Sequence, residues 1–182
     1  MNDDAVPVIT PDTKDWTWVL ERACPECGFD ASRIEPTDVA GLLRAELPHW
    51  RHALAAPTAR RRPAATTWSP SEYGCHVRDV HRVFAGRVRR ILDEDGAVFA
   101  DWDQDATAVA ERYHAQEPAT VLAGLQAASA DVSAAYDAVP ADAWTRVGVR
   151  SNGSRFTLGT LAAYHLHDVV HHRWDVARCS RP

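Results

Sequence analysis

Apolar residues recur at helical spacing in four separated stretches of the chain. The first opens at Pro36-Thr37-Asp38 and carries Leu42, Leu43, Leu47 and Trp50 to about Leu54, with Pro48 inside it as a point of kinking or division. The second opens at Ser69-Pro70-Ser71-Glu72, where Ser69 can cap, Pro70 suits the first turn and Glu72 completes a capping box. It continues through Tyr73, Val77, Val80, Phe84, Val88 and Ile91. The third starts at Glu117-Pro118, carries Val121, Leu122, Leu125, Val132, Ala135 and Tyr136, and stops before Pro140. The fourth follows Thr157, a suitable cap, and carries Leu158, Ala162, Leu166, Val169 and Val176.

The connections are long. Ala55 to Thr67 reads as an exposed loop, and Asp93 to Asp105 as an acidic loop around Val98, Phe99 and Trp102. Thr107 to His114 reads as a short helix. Val147 and Val149, then Asn152-Gly153, then Arg155-Phe156 predict a small hairpin. Four principal helices without a run of strands predict an all-α four-helix bundle over residues 36–182.

Residues 1–35 form a separate N-terminal extension. Val6 to Ile9 could be a short strand, and Trp16, Trp18 and Leu20 alternate as a strand does. Cys24-Pro25-Glu26-Cys27-Gly28 is half of a zinc knuckle, with Gly allowing the tight turn around a metal. The other half is missing, since Cys75 and Cys179 are single and distant. Three readings stay open for Cys24 and Cys27: a turn holding two reduced thiols, a secondary or shared metal site, and redox chemistry, which would want a βαβ context.

Composition narrows the function classes. The 182 residues are 46% hydrophobic and 25% charged, as expected of a soluble single domain. A net charge of −5 and a pI near 6.0 argue against a nucleic-acid partner, and Arg60-Arg61-Arg62 beside Pro63 reads as a solvated run. No apolar run approaches the roughly 20 residues of a membrane span. Met1-Asn2-Asp3-Asp4 lacks a signal peptide's basic start, so a cytoplasmic location with reduced thiols is expected. Trp16, Trp18, Trp50 and Trp102 have no assigned core position; they leave a homodimer contact open beside the commoner reading as core.

Candidate chemistry concentrates in Tyr164 to Val176, where four of nine histidines fall within eight residues. On a wheel of about 100° per residue, Asp168 and His172 lie at the edge of the apolar arc, beside Leu161 and His165. His167 and His171 project to roughly the opposite side, which makes them the poorer pair. Asp168 and His172 offer one oxygen and one nitrogen to a divalent metal, or else form a salt-bridged pair at the bundle rim. On the second helix His76 lies within the apolar arc, as a hydrogen-bonded core residue or as a third ligand. Arg78, Asp79 and Arg82 face outward or toward a rim.

Trp68-Ser69-Pro70 with Glu72, His76-Val77 with Asp79, and Asp168 with His171-His172-Arg173-Trp174-Asp175 resemble the motifs of the DinB-like superfamily, which includes the N-terminal domain of mycothiol-dependent maleylpyruvate isomerase. The resemblance runs over about residues 36 to 178. It implies a four-helix bundle with a divalent metal, zinc or nickel, in an interior cleft, held by His76, Asp168 and His172. Asp stands at 168 where the family has His or Glu, and Trp174-Asp175 replaces Gly-Gln. Three protein ligands would leave coordination positions open, as catalytic sites do. The expected activity is a metal-dependent S-transfer or isomerisation of a small molecule, with a low-molecular-weight thiol as co-substrate and His165 or Arg173 steadying ligands or substrate. The alternatives are a metal-dependent hydrolase and a non-catalytic, stress-associated metal-binding bundle.

Overall fold

A computed structural model of the protein describes residues 9–11 and 14–179. The strand expected at Val6 to Ile9 lies for the most part outside them. Helices α1 (Val39–Ala55), α2 (Pro70–Asp93), α3 (Gln104–Ala110), α4 (Pro118–Asp137) and α5 (Leu158–Cys179) follow in order, with strands β1 (Ala97–Phe99), β2 (Val147–Arg150) and β3 (Arg155–Thr157) between them. The bundle is made by α1, α2, α4 and α5: both α1 and α2 pack against α4 and against α5. Its core is aliphatic and aromatic, with Leu43, Trp50, Val80, Val88, Ile91, Leu125, Leu161 and Val169 all buried.

The helix ends follow local chemistry. The amide of Glu72 donates to Ser69 Oγ (3.3 Å) while Ser69 N–H donates to Glu72 Oε2 (2.9 Å), so the capping box at α2 is reciprocal. Thr160 N–H donates to Thr157 Oγ1 (3.0 Å) at the start of α5. A 3-10 turn at Pro36–Asp38 leads into α1, which runs through Pro48 as one element. Arg62 departs from the expected solvated run. Its guanidinium reaches the buried Glu72 carboxylate (Nε to Oε2, 2.9 Å), because that carboxylate would otherwise be buried without a countercharge. Arg60 keeps to the surface and pairs there with Glu117.

Two elements differ from the expectations. Trp16 to Leu20 is no strand. The Asp15 carboxylate accepts from the amide and hydroxyl of Thr17, and a 3-10 turn forms over Thr17–Leu20. In the acidic loop, Ala97–Phe99 is strand β1, parallel to β2 in the order β1-β2-β3, with β2 and β3 antiparallel as the hairpin predicted. Parallel pairing requires a long crossover, here supplied by α3 and α4.

Gly148 is the central residue of this sheet, opposite Ala97 on one side and Phe156 on the other. A Cβ there would lie 2.5 Å from Ile91 Cδ1 and 2.6 Å from Phe99 Cε1. Gly148→Ala is therefore expected to destabilise the fold by about 1–3 kcal/mol in urea denaturation, through overpacking. An unchanged midpoint would show that the sheet slides freely over α2.

Candidate metal centre

His76 lies in the second turn of α2, and Asp168 and His172 lie one turn apart on α5, where the two helices face each other. One ligand atom from each of the three comes within 4.8 Å of the others. His76 Nε2 is 3.4 Å and His172 Nε2 3.8 Å from Asp168 Oδ1, and the two imidazoles meet edge to face at 4.6 Å. His76 is fully buried between Trp68 (5.3 Å) and Trp102, which stacks on it at 5.5 Å.

The protonation states suit metal ligation. Burial holds the His76 imidazole below its ordinary value despite the carboxylate beside it. Burial opposes ionisation of Asp168, yet the imidazoles of His76 and His172 hold its carboxyl well below the usual range. His172 Nδ1 lies 2.9 Å from Asp175 Oδ2, an arrangement that puts the proton on Nδ1 and the lone pair on Nε2, toward Asp168. Asp175, noticed in the sequence only as a departure from the family's pattern, is the residue that orients His172.

A divalent ion fits this donor set. Both ring nitrogens of His76 and Asp168 Oδ1 are buried without a hydrogen-bond partner, and a cation between His76 Nε2 and Asp168 Oδ1 would satisfy two of these three atoms. Beside the cluster is a cavity of about 290 Å³ lined by Trp68, Tyr73, Tyr164, Asp168, His172 and Asp175 from the bundle. Lys14, Trp16 and Glu26 of the N-terminal segment close its other side. Two nitrogens and one carboxylate oxygen beside an open cavity leave room for a further ligand from a small molecule.

His165 and Arg173 are placed elsewhere. The His165 ring is buried in the core, with Nε2 2.9 Å from His81 Nδ1 and Nδ1 3.1 Å from Tyr136 Oη. Arg173 lies across from α1, its Nε 3.2 Å from Glu46 Oε2. Neither lines the cavity. His167 and His171, expected on the far side of the helix, are buried there, because residues 16–29 cover that face. Trp16 packs on both rings and Phe29 on His167.

No curated protein matches the sequence. Among solved structures, YfiT from Bacillus subtilis, a probable metal-dependent hydrolase with an unusual four-helix bundle topology, superposes with a TM-score of 0.64 at 16% identity over 94% of this chain and 93% of YfiT. The mycothiol-dependent maleylpyruvate isomerase also superposes with a TM-score of 0.64, at 13% identity, over 80% of this chain and 62% of the isomerase. At such identities the likeness is one of fold. The sequence profile of the DinB superfamily matches residues 36–176, which include all four bundle helices up to Val176, and the chain belongs to the DinB superfamily.

Proposed function

We propose that His76, Asp168 and His172 hold a divalent metal, zinc or nickel, and that the protein is a metal-dependent enzyme transferring or isomerising a small molecule with a low-molecular-weight thiol as co-substrate. The observation that carries this reading is the convergence of three ligand atoms, with His76 Nε2 and Asp168 Oδ1 buried without hydrogen-bond partners, beside a cavity that Asp168 and His172 line. A metal held there supplies Lewis acidity that lowers the pKa of a small nucleophile entering the cavity. The chain's own residues do the rest. Asp175 fixes the His172 tautomer, and Trp68 and Trp102 keep water from His76. Burial keeps the Tyr164 phenol protonated at the cavity wall, able to donate to a substrate oxygen. Lys14 pairs with Glu26 (4.0 Å) over the Trp16 ring at the other side of the cavity.

A second reading, hydrolysis, has one finding in its favour. YfiT, whose whole length this chain nearly matches in fold, is a probable metal-dependent hydrolase.

The deciding experiment loads untagged protein with zinc or nickel and follows metal content by elemental analysis beside turnover of thiol adducts and of hydrolysable esters and amides. His76→Ala, Asp168→Ala and His172→Ala are each expected to lose one equivalent of metal and all activity. Asp175→Ala is expected to weaken metal binding about 10–100-fold. Activity only with thiols supports the first reading, and thiol-independent turnover of esters or amides the second. Full metal content in all three ligand variants would overturn both.

A further inference from the structure

On the outer face of α5, one residue before His172, a second group of metal-binding side chains comes together. We propose that Cys24, Cys27, His167 and His171 form a structural zinc site that staples the N-terminal segment to the bundle. Among the described residues these four side chains each offer a ligand atom, all within 4.8 Å of one another. Cys24 Sγ is 3.6 Å from His171 Nδ1. Two ligands at a tetrahedral zinc, with Zn–S about 2.3 Å and Zn–N about 2.0–2.1 Å, lie about 3.6 Å apart.

Each half is shaped for the task. In the Cys24–Gly28 turn, Gly28 takes φ +75°, its amide donates to Cys24 O (2.9 Å), and the Cys24 amide donates to Phe29 O (2.8 Å). Burial pushes the Cys27 thiol up to about 11, against the Phe29 amide turned to its sulfur, so without a cation this side chain stays a thiol. The histidines stand one helical turn apart with ring centres 5.2 Å from each other. His167 is 3% exposed, and its Nε2 is buried without a hydrogen-bond partner. His171 turns Nδ1 to Cys24 and Nε2 toward Glu26 (3.9 Å) and Asp175 (4.0 Å), the carboxylate backing common for metal-bound imidazole.

Cys24 and Cys27 are free thiols. Without a cation the structure would bury Cys24 and two neutral imidazoles around an orphaned nitrogen. Zinc binding would release the two thiol protons to solvent and satisfy all four side chains. Two thiolates and two imidazoles fill a tetrahedral ion, so this site has no position left for substrate. Its role is architectural. It holds Trp16 and Glu26 against α5, where they complete the cavity beside His172. Asp175 Oδ2 serves both groups, 2.9 Å from His172 Nδ1 and 4.0 Å from His171 Nε2.

Cobalt(II) separates this site from the bundle site, since only this one contains sulfur. Untagged, metal-free full-length protein titrated with cobalt(II) is expected to develop a sulfur-to-cobalt charge-transfer band in the near ultraviolet. It should saturate with one equivalent at this site and be bleached by zinc. The band should persist in His76→Ala and disappear in Cys24→Ser/Cys27→Ser and in His167→Ala/His171→Ala. Removing zinc from the wild type should also speed proteolysis within residues 16–30 while the bundle stays intact. A wild type that binds cobalt without the band overturns the proposal, and this needs no variant to fold. A band that survives the double histidine change overturns the four-ligand set. Because the His76→Ala arm reads the sulfur site alone, neither failure touches the bundle centre.

Discussion

Asp79→Ala is expected to lower the free energy of unfolding by about 3–5 kcal/mol, the cost of leaving a buried charge without its partner. Asp79 and Arg78 are 7% and 6% exposed. The carboxylate accepts from Arg78 Nε (2.9 Å) and Nη2 (2.8 Å), from Arg82 Nη1 (2.8 Å) and from Tyr113 Oη (2.6 Å). Burial opposes its ionisation, but the Arg78 and Tyr113 hydrogen bonds hold its carboxyl below the ordinary value, so the pair is ionic at neutral pH. Removing the carboxylate leaves the Arg78 guanidinium with Gln116 Oε1 (2.6 Å) as its hydrogen-bond acceptor among the described residues. Urea denaturation of Asp79→Ala beside Arg78→Met/Asp79→Leu checks the assignment. The double variant removes both charges and should lose far less, and Tyr113→Phe should lose about 1–2 kcal/mol. Equal losses in the single and double variants would mean that packing, not the unpaired charge, sets the cost. The network lies one turn after His76 on α2, so metal affinity should fall together with stability.

Why that network was not legible is instructive. A helical wheel with one neighbour face places Arg78, Asp79 and Arg82 outward or toward a rim. The turn Tyr113–Ala115 covers the outer face, and nothing in the α2 sequence announces a cover contributed from thirty residues away. The same holds for His167 and His171, which residues 16–29 cover. Periodicity tells which side of α5 meets the bundle; it is silent about an extension wrapping the other side. The cue in the sequence is the pairing of Cys-x-x-Cys with two histidines four apart, Cys24 and Cys27 with His167 and His171.

The bundle was legible because its four helices are long, amphipathic and bounded by strong signals, such as Ser69-Pro70 with Glu72 and Thr157. The convergence of His76, Asp168 and His172 was legible for the same reason: His76 sits within the apolar arc, and Asp168 and His172 at its edge, on helices that the bundle must turn inward. Strand β1 was not. It has three residues, alternating buried, exposed and buried, and it becomes a strand only by pairing with β2 fifty residues later.

Acid should unfold the protein between pH 6.5 and 4, and the pair His81–His165 should account for much of the slope. Both rings are essentially inaccessible to solvent. His81 Nδ1 faces His165 Nε2, whose other nitrogen faces Tyr136 Oη, so protonating both rings would set two N–H groups against each other. Burial pushes His81 down from 6.5 to about 4, with the more distant Asp168 opposing, and burial together with the His81 ring pushes His165 well below its ordinary value. The sign follows from linkage. The unfolded chain takes up these protons near pH 6.5, whereas the folded chain takes up that of His81 only near 4 and holds His165 well below its ordinary value, so the stability contributed by the neutral rings is whole above pH 6.5 and is lost as pH falls toward 4. His81 alone accounts for about 3 kcal/mol over that span. His81→Asn keeps a neutral hydrogen-bonding group that does not titrate. Its stability at pH 7 should be somewhat lower than wild type, but its loss per pH unit between 6.5 and 4 should be smaller by about 1.4 kcal/mol. Comparing the two proteins under the same metal loading cancels the proton competition at the other histidines. Parallel curves across that interval would show that His81 is already charged in the fold, and that the core tolerates the ion.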